Sequence, residues 1–311
     1  MICEGLYPAP HVIKEELAIM RKNNQKTAAI YLLPAMLMVI VILYIPIFIN
    51  LYESLFKWGA MSTSHTFVGL ENYLKMFKDE VFYVAIKNNL IFTVMSVIFQ
   101  IGVSLLIASV LEAKFMRRCQ NFYRTVYFIP SLLMVTVVGI TFKMIVSPSI
   151  GIINPFLEML GIDASGIDLL GNAGSATMTI AAMSQWQYIG YTVILFIVAI
   201  QNIPAELYEA AEIDGAGVVR KFFDITLPQI KNTILINTII TITGAIREYD
   251  EVFVTTNGGP GHASETLATY LYKVGFRNDQ MGYASAIAFF IFIVTFIIGL
   301  MQMKGYDVDD K

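Results

Sequence analysis

Long stretches without a charged side chain are the feature that most limits what this chain can fold into. A helix needs about 20 apolar residues to cross the roughly 30 Å hydrocarbon core of a membrane. Five stretches of this kind occur, one of them with a single lysine near its end, and a sixth is uncharged only from Asn232 to Ile246. We predict six membrane spans, at residues 27–52, 88–111, 125–146, 177–205, 232–254 and 280–303.

The composition and the pattern of these stretches favour helices over strands. Only 14% of the 311 residues are charged, against about 25% in soluble domains. The stretches are apolar at odd and even positions alike, whereas the strands of a membrane barrel alternate at every second residue. The predicted fold class is therefore an all-α polytopic membrane protein with six transmembrane helices.

The distribution of lysine and arginine predicts how the chain is oriented. Cytoplasmic connections are enriched in these residues. If the N-terminus is inside, thirteen of them lie in cytoplasmic connections and six lie outside, and the outer connection at residues 147–176 has none. The first apolar run is also too long for a cleaved signal peptide. We expect the arm at residues 1–26 and the tail at residues 304–311 to be cytoplasmic.

The chain lacks the residues that several functional classes require. A net charge of −3 offers no basic excess for a nucleic acid. The histidines, His11, His65 and His262, show no metal-binding spacing, and Cys3 and Cys119 are too few for a metal cluster. No Gly-Lys pair occurs, so the chain has no phosphate-binding P-loop. We expect no bound metal or cofactor, no nucleic-acid partner and no enzymatic activity.

The polar connection at residues 204–231 has the pattern of an ordered element. Pro204 precedes acidic and alanine-rich residues typical of a helix start, and Gly215 can end that helix. From about Val218 to Thr226 apolar residues recur at helical spacing, and Pro228 would end or kink this second helix. The pair can lie on lipid headgroups as an amphipathic element, or it can be a docking site for another protein.

Two groups of residues, in and after this connection, carry a resemblance to a known family. The first group is Glu209, Ala210, Ala211, Asp214, Gly215, Ala216, Phe222, Ile225, Leu227 and Pro228. In identity and spacing it resembles the cytoplasmic EAA loop of ABC importer permeases. The second group resembles the segment after the fifth span of carbohydrate-type permeases, and it is Asp250, Asn257, Gly258, Gly259, Pro260, Glu265, Thr266, Leu267 and Tyr270. The similarity to maltose and multiple-sugar permeases extends over residues 26–303.

This resemblance implies a transport subunit of a binding-protein-dependent type I importer in a bacterial-type cell membrane. The implied partners are a second permease subunit in a heterodimer, a cytoplasmic ABC ATPase dimer, an extracytoplasmic solute-binding protein and a sugar substrate. The chain would form the translocation pathway and would be coupled to the ATPase through the EAA loop. ATP and Mg would bind to the partner ATPase, so this chain is not expected to be the enzyme.

The charged cluster that interrupts the fifth span is a candidate part of the substrate pathway. Ionisable residues inside a membrane cost about 2.5–3.5 kcal/mol on insertion scales and usually face a cavity or a partner. Arg247, Glu248 and Asp250 can hydrogen-bond sugar hydroxyls in such a cavity. Alternatively, Arg247 pairs with Asp250 and Glu251, which follow it at the spacing of one helical face.

The fourth span contributes aromatic candidates to the same pathway. Trp186, Tyr188 and Tyr191 interrupt an apolar stretch, and aromatic rings of this kind can stack on sugar rings. The alternative is that they form part of an aromatic belt at the membrane interface or pack between helices.

Two other kinds of transporter remain open. A glycerol-3-phosphate permease is similar over the same motifs, and Arg247 could meet its phosphate. A secondary transporter would need ion ligands on broken helices in two paired halves. We find no convincing repeat of the first three spans in the last three, so this alternative is the more distant one.

Overall fold

The computed structural model describes residues 30–62, 64–113, 116, 118–164 and 166–307. The chain divides into two units, of which the first ends at Glu53. The described part of this unit is one helix, α1 (Ile30–Glu53). A π-helical segment, Ile40–Tyr44, lies just before Pro46. Because proline has no N–H to donate, a local change of hydrogen-bond register at this point is physically expected.

The second unit, Ser54–Lys311, is mainly helical and begins with a β-hairpin whose strands pair Phe56 with Phe67. Its elements in chain order are β1 (Phe56–Lys57), β2 (Thr66–Phe67), α2 (Glu71–Met76), α3 (Glu80–Glu112), α4 (Gln120–Leu132), α5 (Val135–Ile145), α6 (Ile153–Met159), α7 (Ala176–Gln201), α8 (Ala205–Ile213), α9 (Val218–Lys221, continued by Phe222–Thr226 and Leu227–Gln229), α10 (Lys231–Ile246), α11 (Asp250–Thr255), α12 (Leu267–Tyr272, continued by Lys273–Arg277) and α13 (Met281–Asp307).

Within the described residues, four helices are long and apolar enough to cross a membrane: α1, α3, α7 and α13. The pair α4 and α5 would add a fifth span if the two helices cross together. The number of six spans therefore stays a prediction. The second span is longer than predicted, because α3 begins at Glu80, where the Asp79 side chain caps the helix by accepting a hydrogen bond from the Val81 N–H at 2.9 Å.

The predicted third span, residues 125–146, is not one continuous helix. It consists of α4 and α5, which are bent by 96° relative to each other. Pro130 lies in the 3₁₀ turn that ends α4, and Leu133 and Met134 are extended. A proline cannot donate to the helical hydrogen-bond ladder, so it favours a change of direction at this point.

The predicted fifth span is interrupted. The helix α10 ends at Ile246, residues 247–249 leave helical geometry, and α11 starts at Asp250. Non-helical backbone at membrane depth needs hydrogen-bond partners from the protein or from a water-filled cavity. The charged cluster therefore lies on a break between two helices rather than on one helical face.

The centre of the second unit is the packing of α3 against α7. Leu105 and Ala108 of α3 are buried in one apolar cluster with Val193, Phe196 and Ile197 of α7. The small side chain of Ala108 permits close approach, which is how helices associate in a membrane, where lipid is as apolar as the side chains.

A glycine on α7 permits a second close approach. A Cβ at Gly190 would overlap the backbone carbonyl of Tyr127 on α4. Any larger residue at this position would push α4 away from α7. The position of the bent pair α4 and α5 against α7 therefore depends on a residue without a side chain.

Candidate translocation cavity and coupling loop

A polar cavity of about 450 Å³ lies between α3, α7, α10 and the break after Ile246. Five of the six predicted pathway residues line it, namely Tyr188, Tyr191, Arg247, Glu248 and Asp250. Its other lining residues are Ser96, Gln100, Ser184, Thr192, Asn237, Ile240, Thr241, Thr243, Gly244, Ala245, Tyr249 and Glu251.

The sixth predicted pathway residue, Trp186, does not line this cavity. Its ring lies 5.2 Å from that of Phe142 on α5, and nearly half of its surface is exposed. Tyr188 and Tyr191 are two and five positions further along α7, which places them on a different face of the helix from Trp186. The structure therefore separates the aromatic candidates that the sequence grouped together.

Three helices supply the polar lining at helical spacing. Asn237, Thr241 and Gly244 follow each other on one face of α10, and Ser96 and Gln100 are one turn apart on α3. Each of the three helices is mostly apolar, and the polar residues on these faces converge on a single side. This convergence is what makes a polar cavity inside an apolar bundle.

A chain of amides fixes one wall of the cavity. The Gln100 Nε2 donates to the Gln185 Oε1 at 2.9 Å, and the Gln185 Nε2 donates to the Ser96 Oγ at 3.2 Å. Ser96 and Gln185 are buried, so these bonds satisfy polar groups that would otherwise be costly in an apolar interior.

The break in the fifth helix is held by Asn89, a residue that the sequence analysis did not select. Its Nδ2 donates to the carbonyls of Ala245 and Ile246 at 2.9 and 3.0 Å, and its Oδ1 accepts from the Leu267 N–H at 2.8 Å. One buried side chain thereby satisfies two carbonyls at the end of α10 and one N–H at the start of α12.

The neighbouring Asn88 holds the connection between α11 and α12. Its Nδ2 donates to the carbonyls of Ala263 and Glu265 at 2.7 and 2.8 Å. The Thr266 hydroxyl then donates to the Glu248 carbonyl at 2.7 Å and ties this connection to the cavity. Two consecutive amides in an uncharged membrane stretch were the signal that could have identified both residues, because polar groups at membrane depth usually have partners.

Acidic side chains outnumber basic ones in the lining of the cavity. Glu248, Asp250 and Glu251 line it together with a single cation, Arg247. Among the described residues, no carboxylate lies within ion-pair distance of Arg247, so the interpretation of a pair with Asp250 or Glu251 finds no support. The Glu248 Oε1 is buried without a hydrogen-bond partner in the described part of the chain. The cavity thus offers acceptors, one strong donor and three phenols, those of Tyr188, Tyr191 and Tyr249.

The connection at residues 204–231 contains two short helices and a tight turn, the arrangement that its pattern predicts. Gly215 has a positive φ of 73°, and the Ala216 N–H donates to the Ala211 carbonyl at 2.8 Å. This geometry closes the end of α8 in a left-handed turn that favours glycine. The second helix does not end at Thr226, because helical segments continue through Pro228 to Gln229.

Two side-chain contacts hold α8 and α9 together. The Tyr208 and Thr226 hydroxyls are 2.8 Å apart, and the Lys221 Nζ lies 2.9 Å from the Glu212 Oε1. The pair is therefore braced at two points and can move as one body.

The ten motif residues are divided among the three parts of this element. Glu209, Ala210 and Ala211 are on α8, the turn contains Asp214, Gly215 and Ala216, and α9 carries Phe222, Ile225, Leu227 and Pro228. Phe222 and Leu227 pack against the apolar cluster of α3 and α7.

An apolar surface faces away from this packing. Ile213, Val218, Val219 and Phe223 are exposed, with 88% of Ile213 accessible. An exposed apolar patch of this kind on a braced element indicates contact with a protein or with lipid.

No group of three or more His, Cys, Asp or Glu residues with metal-binding geometry occurs in the described part of the chain. Cys119 is a free, exposed thiol, and Cys3 lies outside the described residues.

The family of this chain follows from a comparison with known proteins. Residues 100–303 match the family model described as "Binding-protein-dependent transport system inner membrane component". The chain belongs to this family. The match spans α7, the α8–α9 pair and the broken fifth helix, so it includes the braced loop and every residue of the cavity lining except Ser96.

Relatives of this inner membrane component are similar over nearly their whole length. This chain is 44% identical to the "Probable ABC transporter permease protein YurN" of Bacillus subtilis (strain 168). The alignment covers 287 residues, which are 92% of this chain and 98% of the other. The chain is 32% identical to the arabinooligosaccharides transport system permease protein AraP of Halalkalibacterium halodurans, over 90% of this chain and 88% of that one.

Solved structures show the same fold. The chain matches a bacterial ABC transporter involved in the import of the acidic polysaccharide alginate with a TM-score of 0.79 and 22% identity, covering 94% of this chain and 99% of that one. A second structure of that transporter, in complex with a periplasmic protein bound to an alginate pentasaccharide, matches with a TM-score of 0.77.

Proposed function

We propose that this chain is the permease subunit of an ATP-driven sugar importer, and that the sugar passes through the polar cavity beside the broken fifth helix. The observation that carries the proposal is the convergence of three tyrosines, Tyr188, Tyr191 and Tyr249, with Arg247 and three carboxylic side chains in one cavity within an apolar bundle. Sugar hydroxyls both donate and accept hydrogen bonds, and aromatic rings cover the apolar faces of sugar rings.

The names of relatives supply the substrate class. They include permease proteins for arabinooligosaccharides, for multiple sugars in Streptococcus mutans, and for lactose in Rhizobium radiobacter. The predominance of carboxylates around Arg247 favours a neutral sugar over a phosphate ester such as glycerol-3-phosphate, because like charges repel at close range.

The α8–α9 pair is the coupling element of this proposal. The exposed apolar patch around Ile213 and Phe223 docks on a separate ATPase subunit, which binds ATP and Mg. Phe222 and Leu227 contact the cluster of α3 and α7, so displacement of the pair is passed to helices that line the cavity. A braced pair suits this role better than an element lying passively on lipid headgroups.

The remaining subunits complete the proposal. A second permease subunit closes the pathway as a heterodimer, and an extracytoplasmic solute-binding protein delivers the sugar. The chain crosses the cell membrane of a bacterial-type cell six times, with both termini in the cytoplasm. The uneven distribution of lysine and arginine supports this orientation.

Reconstitution of the complete importer in proteoliposomes tests the proposal. Uptake of radiolabelled arabinotriose or lactose should require ATP on the ATPase side and the solute-binding protein on the other side, and unlabelled glycerol-3-phosphate should not compete. Uptake that is driven by an ion gradient without ATP would identify a secondary transporter. If glycerol-3-phosphate, and no unlabelled sugar, competes for uptake, the chain belongs to the phosphate-ester alternative.

A replacement in the cavity connects this activity to the site. Glu248→Gln should raise the KM for sugar more than it lowers the maximal rate. The matched control is Glu158→Gln, since Glu158 lies on α6 and does not line the cavity. Equal kinetics of the two variants would contradict a role for the cavity.

A further inference from the structure

A second pocket, of about 350 Å³, lies between the β-hairpin, α2 and the start of α13. Its lining includes Lys57, Trp58, Glu71, Lys75 and Asp279. In the proposed topology these residues belong to the outer connections. The volume is within the range of pockets for small molecules, about 300–1,000 Å³.

The pocket is preformed because the hairpin is fixed to the start of α13. The Gly282 N–H donates to the Trp58 carbonyl at 3.3 Å, and the Met61 N–H donates to the Asp279 Oδ1 at 3.0 Å. A Cβ at Gly282 would overlap the Phe56 carbonyl. This close approach is possible only for glycine, so the backbone that carries Trp58 is held against α13.

From the other side, α2 holds the same hairpin. The Asn72 Nδ2 donates to the carbonyls of Ser54 and Phe56 at 2.8 and 2.9 Å, and Asn72 is itself buried. The strand that ends next to Trp58 is thus bound on both sides, which is the preorganisation that a binding site requires.

Trp58 lines this pocket, and its indole nitrogen is enclosed by the protein. Its indole Nε1 is buried and, among the described residues, has no acceptor. Nearly all buried donors in proteins have a hydrogen-bond partner, because an unpaired one is costly.

Two charged groups at the rim are also available. The Lys57 ammonium and the Glu71 carboxylate form no hydrogen bond or ion pair within the part of the chain that the structure describes. Lys75, in contrast, is engaged with the Gln280 Oε1 at 2.5 Å and with the Tyr283 ring. The available groups at the rim thus comprise one cation and one anion beside the aromatic ring of Trp58.

We propose that this pocket is a carbohydrate-binding subsite, which takes one or two rings of a neutral sugar. Trp58 supplies a stacking surface, Lys57 a donor and Glu71 an acceptor for hydroxyl protons. The two carboxylates, Glu71 and Asp279, and the two ammonium groups, Lys57 and Lys75, leave the lining without a net formal charge, so it offers no net attraction to an anion or a cation and suits a neutral ligand. The assignment of the sugar class rests on the proposed function, in which the pocket holds sugar on the outer side of the membrane before it enters the cavity.

Fluorine NMR of the full-length chain in lipid nanodiscs tests this site directly. The chain contains two tryptophans, Trp58 and Trp186, so labelling with 5-fluorotryptophan gives two resonances, which Trp58→Phe and Trp186→Phe assign. The probes are lactose, arabinotriose and N,N′-diacetylchitobiose, each up to about 10 mM, ten times the Kd of a weak site of about 1 mM. At least one sugar should shift the Trp58 resonance saturably.

Two variants and a control then define the chemistry. Lys57→Gln and Glu71→Gln should each raise the Kd about fivefold or more, as expected for a lost hydrogen bond to a charged group. Both side chains are exposed and unpaired, so the fold should be unaffected. Lys78→Gln is the matched control, because Lys78 is an exposed lysine of the same region that does not line the pocket.

The outcomes separate this proposal from the proposed function. A Trp58 resonance that no sugar shifts, in a chain that supports ATP-driven uptake, overturns the subsite alone. A saturable shift of Trp58 without any ATP-driven uptake supports the subsite and contradicts the importer. A shift that appears only with sugar-free solute-binding protein would show a protein-docking surface and would also overturn the subsite.

Discussion

The side-chain oxygen of Asn89 accepts a hydrogen bond from the Leu267 N–H at 2.8 Å, across 178 residues of sequence. The same side chain donates to the carbonyls of Ala245 and Ile246. One amide on α3 therefore joins the end of α10 to the start of α12. Since Arg247 and Glu248 follow directly, Asn89 positions the backbone that presents charged groups to the cavity.

Replacing Asn89 should destabilise the protein and disturb the cavity. Asn89→Leu would leave two carbonyls and one N–H unpaired, each at a cost of about 1–3 kcal/mol. We expect a lower Tm of the purified protein in detergent and a higher KM for transported sugar. Leu90→Ala is a control, because Leu90 is exposed on the same helix. A Tm of Asn89→Leu equal to that of the wild type would show that the amide is dispensable.

Gly190 should tolerate no side chain. Gly190→Val would place a Cβ against the Tyr127 carbonyl and force α4 away from α7, and overpacking of this kind typically costs about 1–3 kcal/mol. We expect less monodisperse protein after detergent extraction, measured by size-exclusion chromatography. Gly102→Ala, at a helical position with no atom within 4 Å of the added Cβ, should behave like the wild type. Similar profiles for both variants would refute the requirement for glycine.

Gly215 should be critical for coupling but not for insertion. Gly215→Arg adds a charged side chain at a residue with φ of +73°, where a non-glycine residue costs roughly 1–2 kcal/mol. We expect normal amounts of protein in the membrane but loss of ATP hydrolysis stimulated by the solute-binding protein. Gly215→Asn is the control, since asparagine tolerates left-handed geometry. Wild-type stimulation in Gly215→Arg would contradict the coupling role of the loop.

Asp79 should stabilise the fold at neutral pH and lose this effect in acid. Burial tends to raise the pKa of this carboxyl, but hydrogen bonds from the Tyr270 and Tyr283 hydroxyls and from the N–H groups of Val81 and Phe82 outweigh it and hold the pKa below its ordinary value. A lowered folded-state pKa gives stability that is present above the unfolded value of about 3.9 and is lost as the pH falls through the folded value.

A pH series of thermal unfolding checks this prediction. The Tm difference between the wild type and Asp79→Asn should be largest at neutral pH and should shrink below about pH 4. Asp168→Asn, in the exposed connection after α6, serves as the comparison. A difference that stays constant from pH 7 to pH 3 would exclude the ionised carboxylate as the cause.

Sequence reasoning located the apolar stretches and the α8–α9 pair because both depend on local patterns. A run of apolar residues is recognisable wherever it lies, and the turn at Gly215 follows from the conformational freedom of glycine. The bend at Pro130 and the break after Ile246 were harder to predict from the sequence, because a proline or a charge within an apolar run permits either a kinked helix or an interruption. The sequence prediction grouped Trp186 with Tyr188 in one pathway, but the two residues face different sides of α7.

By itself, the sequence determined that this chain belongs in a membrane, where its ordered polar element lies, and which charged residues interrupt its apolar stretches. Those properties follow from hydrophobicity and local backbone preference. Only the tertiary structure decided which polar residues meet, because Asn89 contacts Leu267, and Trp58 the start of α13, across distances in sequence that no local pattern spans. A buried polar group must find its partner in three dimensions, and that partner is set by how the helices pack.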